Sequence, residues 1–407
     1  MLTVVNATSI AFAIVLSIPA TVLFVECTFA AIGKGRRSSR TNAQADNISY
    51  PRTAVVIPAH NESTGIGAVI KGLKRQLHAD DRLIVVADNC TDSTAKIARD
   101  SGAEVVERVD SQKRGKGYAI AFAISYLRKA PPEVVVLLDA DCLVSDGTIS
   151  MLADQARRRD RPVQGEYLLV PADQESTKAL ISSLALILRN IVRPQGLDYL
   201  GFPCHLTGSG MAFPWHILEA SPSTGSNLVE DLVMGIEMAL AGFPPSLNAD
   251  VKIRSDLPAD DTAAIGQRKR WEHGHLATIA RYFPRLMTAG VLRRRLALIA
   301  LALDLCVPPL ALLALLYAAF LVVFGFAAQF GLSKLPLLIA TGSCTLAAAA
   351  IGIAWFWFAR RTIPFGKLMG IPAYILWKLP SYASFLIGRK QGTWERTTRK
   401  HEHKHGK

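Results

Sequence analysis

A chain of 407 residues is long enough for one large domain or two medium ones, each with a full hydrophobic core. Half of the residues are apolar and 19% are charged, and the two kinds are segregated: the apolar excess sits at the two ends, while the middle reads as an ordinary α/β domain. The net charge of +13 flanks apolar runs, at Lys34, Arg36, Arg37 and Arg40, at Arg293 to Arg295, and at Arg360 and Arg361, which argues against nucleic acid as a partner. None of Cys27, Cys90, Cys142, Cys204, Cys306 and Cys344 forms a CxxC pair, so neither a zinc site nor a disulfide framework is suggested.

Residues 4–32 are apolar apart from Glu26. Such a run exceeds the roughly 20 residues that a crossing helix needs. A cleaved leader would begin with positive charge, whereas the basic residues here follow the run. The expectation is an uncleaved anchor over 1–33 with its N-terminus outside, then a basic linker over 34–52 on the inner side.

From 53 onward apolar runs alternate with helical patterns. Strands are expected at 54–58, 83–88, 104–109 and 134–138, and helices at 66–77, 91–100 and 117–129. The valine-rich run 134–138 suits a parallel strand covered on both faces. The alternation predicts an α/β, doubly wound nucleotide-binding domain over 53–292, with ligands beyond the carboxyl ends of the strands. Asp88, Asp139 and Asp141 fall at those ends. Asp139-Ala140-Asp141 ends a buried strand in two carboxylates, which repel unless a hard cation such as Mg²⁺ or Mn²⁺ joins them. The competing reading of such a pair is a solvated strand end.

Further apolar stretches at about 296–328 and 335–358 predict two more crossings within 293–360. The first would be about 50 Å long as one helix, more than the hydrocarbon core of about 30 Å, and Pro308-Pro309 offers a break. Asp304 lies just before that break. It would either face water at the interface or hold an acceptor or an arginine. Residues 361–390 mix Pro364, Pro372 and Pro380 with Tyr374, Trp377, Tyr382, Lys367 and Lys378, as helices lying in the interface do, and a basic tail fills 391–407.

VVIPAHNE (55–62), VVADNCTDST (85–94), RGKG (114–117), DAD (139–141), VEDL (229–232) and QRKRW (267–271) occur in this order. Together they resemble the family 2 inverting glycosyltransferases, the group that includes cellulose, chitin and hyaluronan synthases, over about 53–290. The resemblance implies a GT-A fold, a nucleoside-diphosphate-sugar donor, expected to be UDP-linked, and a glycan or lipid-linked acceptor. Residue by residue, it implies that Pro58, Ala59 and Glu62 line the nucleoside, that Asp88 bonds a uracil ring, and that Lys116 lies near the phosphates. Ala87 stands where many relatives carry a second aspartate. The resemblance further implies that Asp139 faces the sugar or ribose and joins Asp141 at the metal, Mg²⁺ or Mn²⁺. Asp231, after Glu230, corresponds to the catalytic base, and Gln267, Arg270 and Trp271 to the QxxRW motif. TGSGMAF (207–213), with Gly208, Ser209 and Gly210, resembles the segment bordering the acceptor.

The chemistry of inverting transfer fits these residue types. A base removes the acceptor proton, and a cation with basic side chains neutralises the leaving diphosphate. Taken alone, Asp231 reads as a first-turn carboxylate on a helix patterned by Leu232, Ile236, Ala239 and Leu240, and the accompanying motifs turn the reading to a base. Gln267 and Arg270, three apart, share a helix face, with Arg270 suited to diphosphate oxygens and Trp271 to stacking under the acceptor sugar. His273 and His275 read as polar surface or acceptor-side residues. The expected activity is that of a hexosyltransferase in exopolysaccharide or cell-surface glycan synthesis, in a bacterial inner membrane with the catalytic domain cytosolic. The alternatives are a processive polysaccharide synthase, with an oligomer or export partner supplying channel helices, and a non-catalytic glycan-binding relative. A nucleotidyltransferase would share the sheet and the paired carboxylates but lack the later ED and QxxRW motifs.

Overall fold

The computed structural model describes residues 2–37, 50–171, 176–221, 225, 227, 229–257 and 261–386; most of the expected basic linker and all of the expected basic tail lie outside them. The chain forms two compact units. One comprises the described residues within 39–173 and 202–274; the other comprises those within 1–38, 174–201 and 275–390.

The first unit is built on a sheet of β1 (Thr53–Ala59), β2 (Arg82–Asp88), β3 (Glu104–Arg108), β4 (Val134–Leu137), β5 (Leu143–Val144), β6 (Val163–Val170), β7 (Met211–Pro214) and β8 (Ser246–Asp256). The order across it is β3-β2-β1-β4-β7-β6-β8-β5. β1 to β4 are the strands expected from the apolar runs, and they pair in parallel. Every residue of β4 is buried, as are all those of β1 except Pro58, so β-branched side chains fill both faces. Beyond β4 the sheet becomes mixed. β7 runs antiparallel to β4 and β6, and β8 runs parallel to β6 and antiparallel to β5.

Two helix starts follow from this sheet. A core of Val56, Ile84, Val86, Val135, Leu137 and Phe213 packs against Ile120, Ala123 and Leu127 of helix Lys116–Leu127, and against Met234 and Met238 of helix Glu230–Ala241. The sheet therefore fixes the helices that begin at Lys116 and at Glu230-Asp231. The helix expected from 91 starts at Thr94, because Asp92 accepts the Thr94 N–H at 3.0 Å and holds the chain in a turn first.

The second unit contains three helices long and apolar enough to cross a membrane: Thr3–Gly35, Leu310–Gln329 and Leu335–Ala359. The break expected at the prolines is present, with one helix ending at Leu305 and the next beginning at Leu310 after Pro309. Two polar contacts within this unit tie its segments together: Tyr317 donates to the Leu16 carbonyl at 2.9 Å, and the Ser333 N–H donates to Asn6 at 2.9 Å. His275 is buried rather than at the surface, with Nε2 3.2 Å from the Val307 carbonyl; in the other unit His273 is buried too.

Residues 174–201 leave the sheet unit between β6 and β7 and belong to the helical unit. After a single π-type turn at Leu188–Val192 comes Arg193, whose guanidinium is buried. Its Nε donates to Glu26 at 2.9 Å and its Nη2 to the carboxylate and carbonyl of Asp304. Asp304 therefore holds an arginine and does not face water. Close approach beside this triad depends on Gly196, where a Cβ would stand 2.1 Å from the Glu26 carbonyl oxygen. Arg193→Met should leave two buried carboxylates without their cation and destabilise the helical unit by about 3–5 kcal/mol. Thermal unfolding in detergent checks this: adding Glu26→Gln and Asp304→Asn to that variant should recover most of the loss, and no recovery would refute the charge account.

Candidate active site

The carboxyl ends of the parallel strands carry two groups of polar residues. The first joins β1, β2 and β3. Asp88 at the end of β2 is in register with Arg108 at the end of β3, and Arg108 Nη1 donates to Asp88 Oδ1 at 2.6 Å. Asn89 Nδ2 donates to the same oxygen at 3.0 Å, and Arg108 Nη2 reaches Asp110 at 3.1 Å. Asn89 and Asn61 both take left-handed backbone conformations, with φ of 51° and 56°. Asparagine tolerates that region well. These two residues knit the strand ends together. Asn61 Oδ1 accepts the Thr91 N–H at 2.7 Å, and Asn89 Oδ1 accepts the Asp110 N–H at 2.8 Å. Pro58 and Ala59 close β1 opposite Val86 and Ala87, and the Glu62 N–H donates to Thr94 Oγ1 at 2.7 Å. The result is a braced edge at which the Arg108 guanidinium is held between the Asp88 and Asp110 carboxylates.

The second group gathers around Lys116, the first residue of its helix, after Gly115 at φ +135°. Its Nζ donates to the Asp139 carboxylate and, at 2.5 Å, to the Gly208 carbonyl, and it lies 4.0 Å from Glu230 Oε1. The Asp139 N–H donates to Ser209 Oγ at 3.0 Å, and Ser255 donates to Asp141. Gly208, at φ +102°, presses on Asp231: a Cβ there would stand 3.1 Å from the Asp231 Oδ2. Gly210, at φ +68°, leaves room for Ile253, whose Cδ1 would be 2.4 Å from a Cβ. These two glycines let the 207–210 turn lie flat against the carboxylates.

The electrostatics follow from burial and crowding. Burial, and then the neighbouring Asp231, push Glu230 up to about 7 against the pull of Lys116. Burial also raises Asp139; Lys116 pulls it back and Asp141 adds to the rise. Burial works against the Lys116 ammonium, but Asp139 and Glu230 outweigh it and hold its pKa above the ordinary lysine value. Asp139, Asp141 and Cys142 each bring a ligand atom within 4.8 Å of the others. Burial, with Asp139 and Asp141 adding, pushes the Cys142 thiol well up, so it stays protonated and the two carboxylates are the donors suited to a hard cation.

The structure thus brings Lys116, Asp139, Gly208, Glu230 and Asp231 together, with Ser209 and Asp141 alongside. Gln267, Arg270 and Trp271 stand half-buried on helix Asp261–Leu292, and the Gln267 Oε1 is buried with no hydrogen-bond partner among the described residues. Arg108, Cys142 and Ser255 were not among the residues expected from sequence. The signal for Arg108 was its place at the end of the third parallel strand; Ser255 pairs across strands that sequence did not predict.

A family model described as glycosyltransferase like family 2 matches residues 51–274, more than half of the chain. The chain belongs to this family. A low-salt glycan biosynthesis hexosyltransferase, Agl6 of Haloferax volcanii, is 34% identical over 28% of this chain and 27% of its own length. The 4,4'-diaponeurosporenoate glycosyltransferase of Staphylococcus aureus is 36% identical over 21% of this chain and 23% of its own. The chain thus aligns with about a quarter of the length of these two curated relatives. A solved mannosyltransferase, PcManGT of Pyrobaculum calidifontis in complex with GDP-Man and Mn²⁺, is similar over 92% of this chain and 100% of its own, at 18% identity and a TM-score of 0.50. This likeness shows the fold, GT-A, of this member of the glycosyltransferase-like family 2.

In this glycosyltransferase Glu230 keeps its proton to about 7 when folded, while an unfolded glutamate loses it near 4.5. The group therefore favours the fold fully below about 4.5, and that contribution is lost as pH rises through about 7. Glutamine cannot titrate. With chelator present, the melting temperature of Glu230→Gln relative to wild type should rise steadily from pH of about 5 to about 8. A difference independent of pH would contradict the burial-driven shift.

Proposed function

We propose that this protein is a membrane-anchored, inverting transferase that moves a sugar from a nucleoside-diphosphate sugar to a glycan or lipid-linked acceptor. The observation that carries the reading is the convergence of Asp139, Glu230, Asp231 and the Gly208 carbonyl on Lys116 at the carboxyl ends of the strands. A relative named for glycan biosynthesis supports the acceptor class. The three long apolar helices support the anchoring. A carbonate wash should leave the protein in the membrane pellet, and its release would contradict that part.

Each group has a task. Asp231 takes the proton from the acceptor hydroxyl. Asp139 and Asp141 would hold Mg²⁺ or Mn²⁺, which supplies positive charge to the leaving diphosphate when bound. Lys116 and Arg270 add donors for phosphate oxygens. The Asp88–Arg108 edge offers an acceptor beside a donor, which suits a base with a ring N–H next to a carbonyl, as in uracil or guanine. Gln267 Oε1 awaits a donor from the bound ligand, and Trp271 supports the acceptor sugar. QxxRW at Gln267, Arg270 and Trp271 favours processive elongation as a second reading; a ladder of products would mark it, and a single addition would exclude it.

Asp231→Asn keeps the shape of the side chain and removes its basicity. Turnover should fall by about 10²-fold or more with donor affinity largely kept. Asp141→Ala should abolish transfer, and EDTA should do so reversibly. Label transfer from nucleotide sugars, with donor binding measured in parallel, checks both. Full activity in EDTA, or an equal loss of donor affinity in Asp231→Asn, would sink the assignment.

A further inference from the structure

We infer that Lys116 is a resident cation of the donor-free enzyme, and that it admits the divalent ion only together with the nucleoside diphosphate. This rests on the function proposed above and concerns how the same site is loaded. Lys116 Nζ donates to the Asp139 carboxylate, one of the two carboxylates suited to the ion, and to the Gly208 carbonyl at 2.5 Å. Glu230 Oε1 lies 4.0 Å away, and Asp231 adds to the field on the ammonium. The side chains of Lys116, Asp139 and Glu230 are only 20%, 26% and 16% exposed, so solvent does little to screen them.

One ammonium therefore already neutralises part of the carboxylate cluster. A divalent ion arriving alone would meet a carboxylate that is already engaged and a positive charge beside it, in a poorly screened place. A diphosphate reverses the balance. It brings negative charge for the ion and a second set of acceptors for the ammonium. Lysine can make that exchange, because its charge sits on a flexible stem with three rotatable donors. Here the stem starts at a helix N-terminus next to Gly115, whose φ of +135° belongs to glycine. When Lys116 moves to the phosphates, it releases the Gly208 carbonyl. Gly208 is the residue that lies against the Asp231 carboxylate.

The test uses Mn²⁺ itself, followed by electron paramagnetic resonance in the full-length protein in detergent, with and without UDP or GDP. Wild type should bind Mn²⁺ weakly alone and tightly with one of the nucleotides. Lys116→Met should bind Mn²⁺ alone about tenfold more tightly or better than wild type, because the competing charge is gone. Lys116→Arg, which keeps the charge, should behave as wild type. Lys116→Gln provides a second neutral variant, and melting curves establish that each is folded. Equal Mn²⁺ affinity in wild type and in the folded neutral variants, or tight binding to wild type without nucleotide, would overturn the inference while leaving the metal assignment intact. Failure of every form to bind Mn²⁺, even with nucleotide, would overturn the metal assignment itself.

Discussion

Carboxylates crowded at the end of a buried sheet repel one another, and in this protein a single ammonium holds them together. Asp139, Glu230 and Asp231 come from two elements, a strand end and a helix start, and Lys116 from a third. The backbone positions that carry these side chains are fixed by a packed core of aliphatic residues, methionines and Phe213. Burial is what gives the cluster its chemistry. In water the same carboxylates would be independent; here they share charge, so Glu230 holds a proton to about 7.

The surrounding polar residues keep that cluster in a fixed geometry. Ser209 and Ser255 tie down Asp139 and Asp141, and two glycines in left-handed conformations bring the 207–210 turn against Asp231. At the neighbouring strand ends, Arg108 fixes Asp88, and two asparagines brace the loops. Catalysis by positioned charge depends on such fixed partners, since a dipole that must reorient during the reaction loses most of its benefit. The helical unit follows the same rule in a more apolar setting. Its buried arginine is matched by Glu26 and Asp304, so charge is again kept in place by neighbours of opposite sign.

The parallel half of the fold was legible because its signal is local. Runs such as Val134 to Leu138 admit few readings other than a covered strand, and DAD directly follows that run. The antiparallel half was not legible. β5 has two residues, and β8 alternates buried and exposed positions over much of its length, so neither forms an apolar run. The same limit explains Ser255 and Arg108. Each matters through a partner on another strand, and strand order does not appear in one-dimensional spacing. Residues 174–201 show a third kind of gap: an apolar stretch inside the sheet domain's sequence reads as core, whereas it belongs to the helical unit. Asp304 was marked as anomalous by its apolar neighbours, but its arginine lies 111 positions away in the chain.

The proposed function, with Asp231 as base and Lys116 beside the leaving diphosphate, requires a single displacement at the anomeric carbon. The stereochemistry of the product tests this most directly. The purified enzyme would be supplied with an α-linked nucleotide sugar that it consumes, and the anomeric proton of the product followed by nuclear magnetic resonance from the first turnovers. The account predicts a β-linked product from the start. An α-linked product would mean two displacements or a front-face path, and would contradict the role given to Asp231.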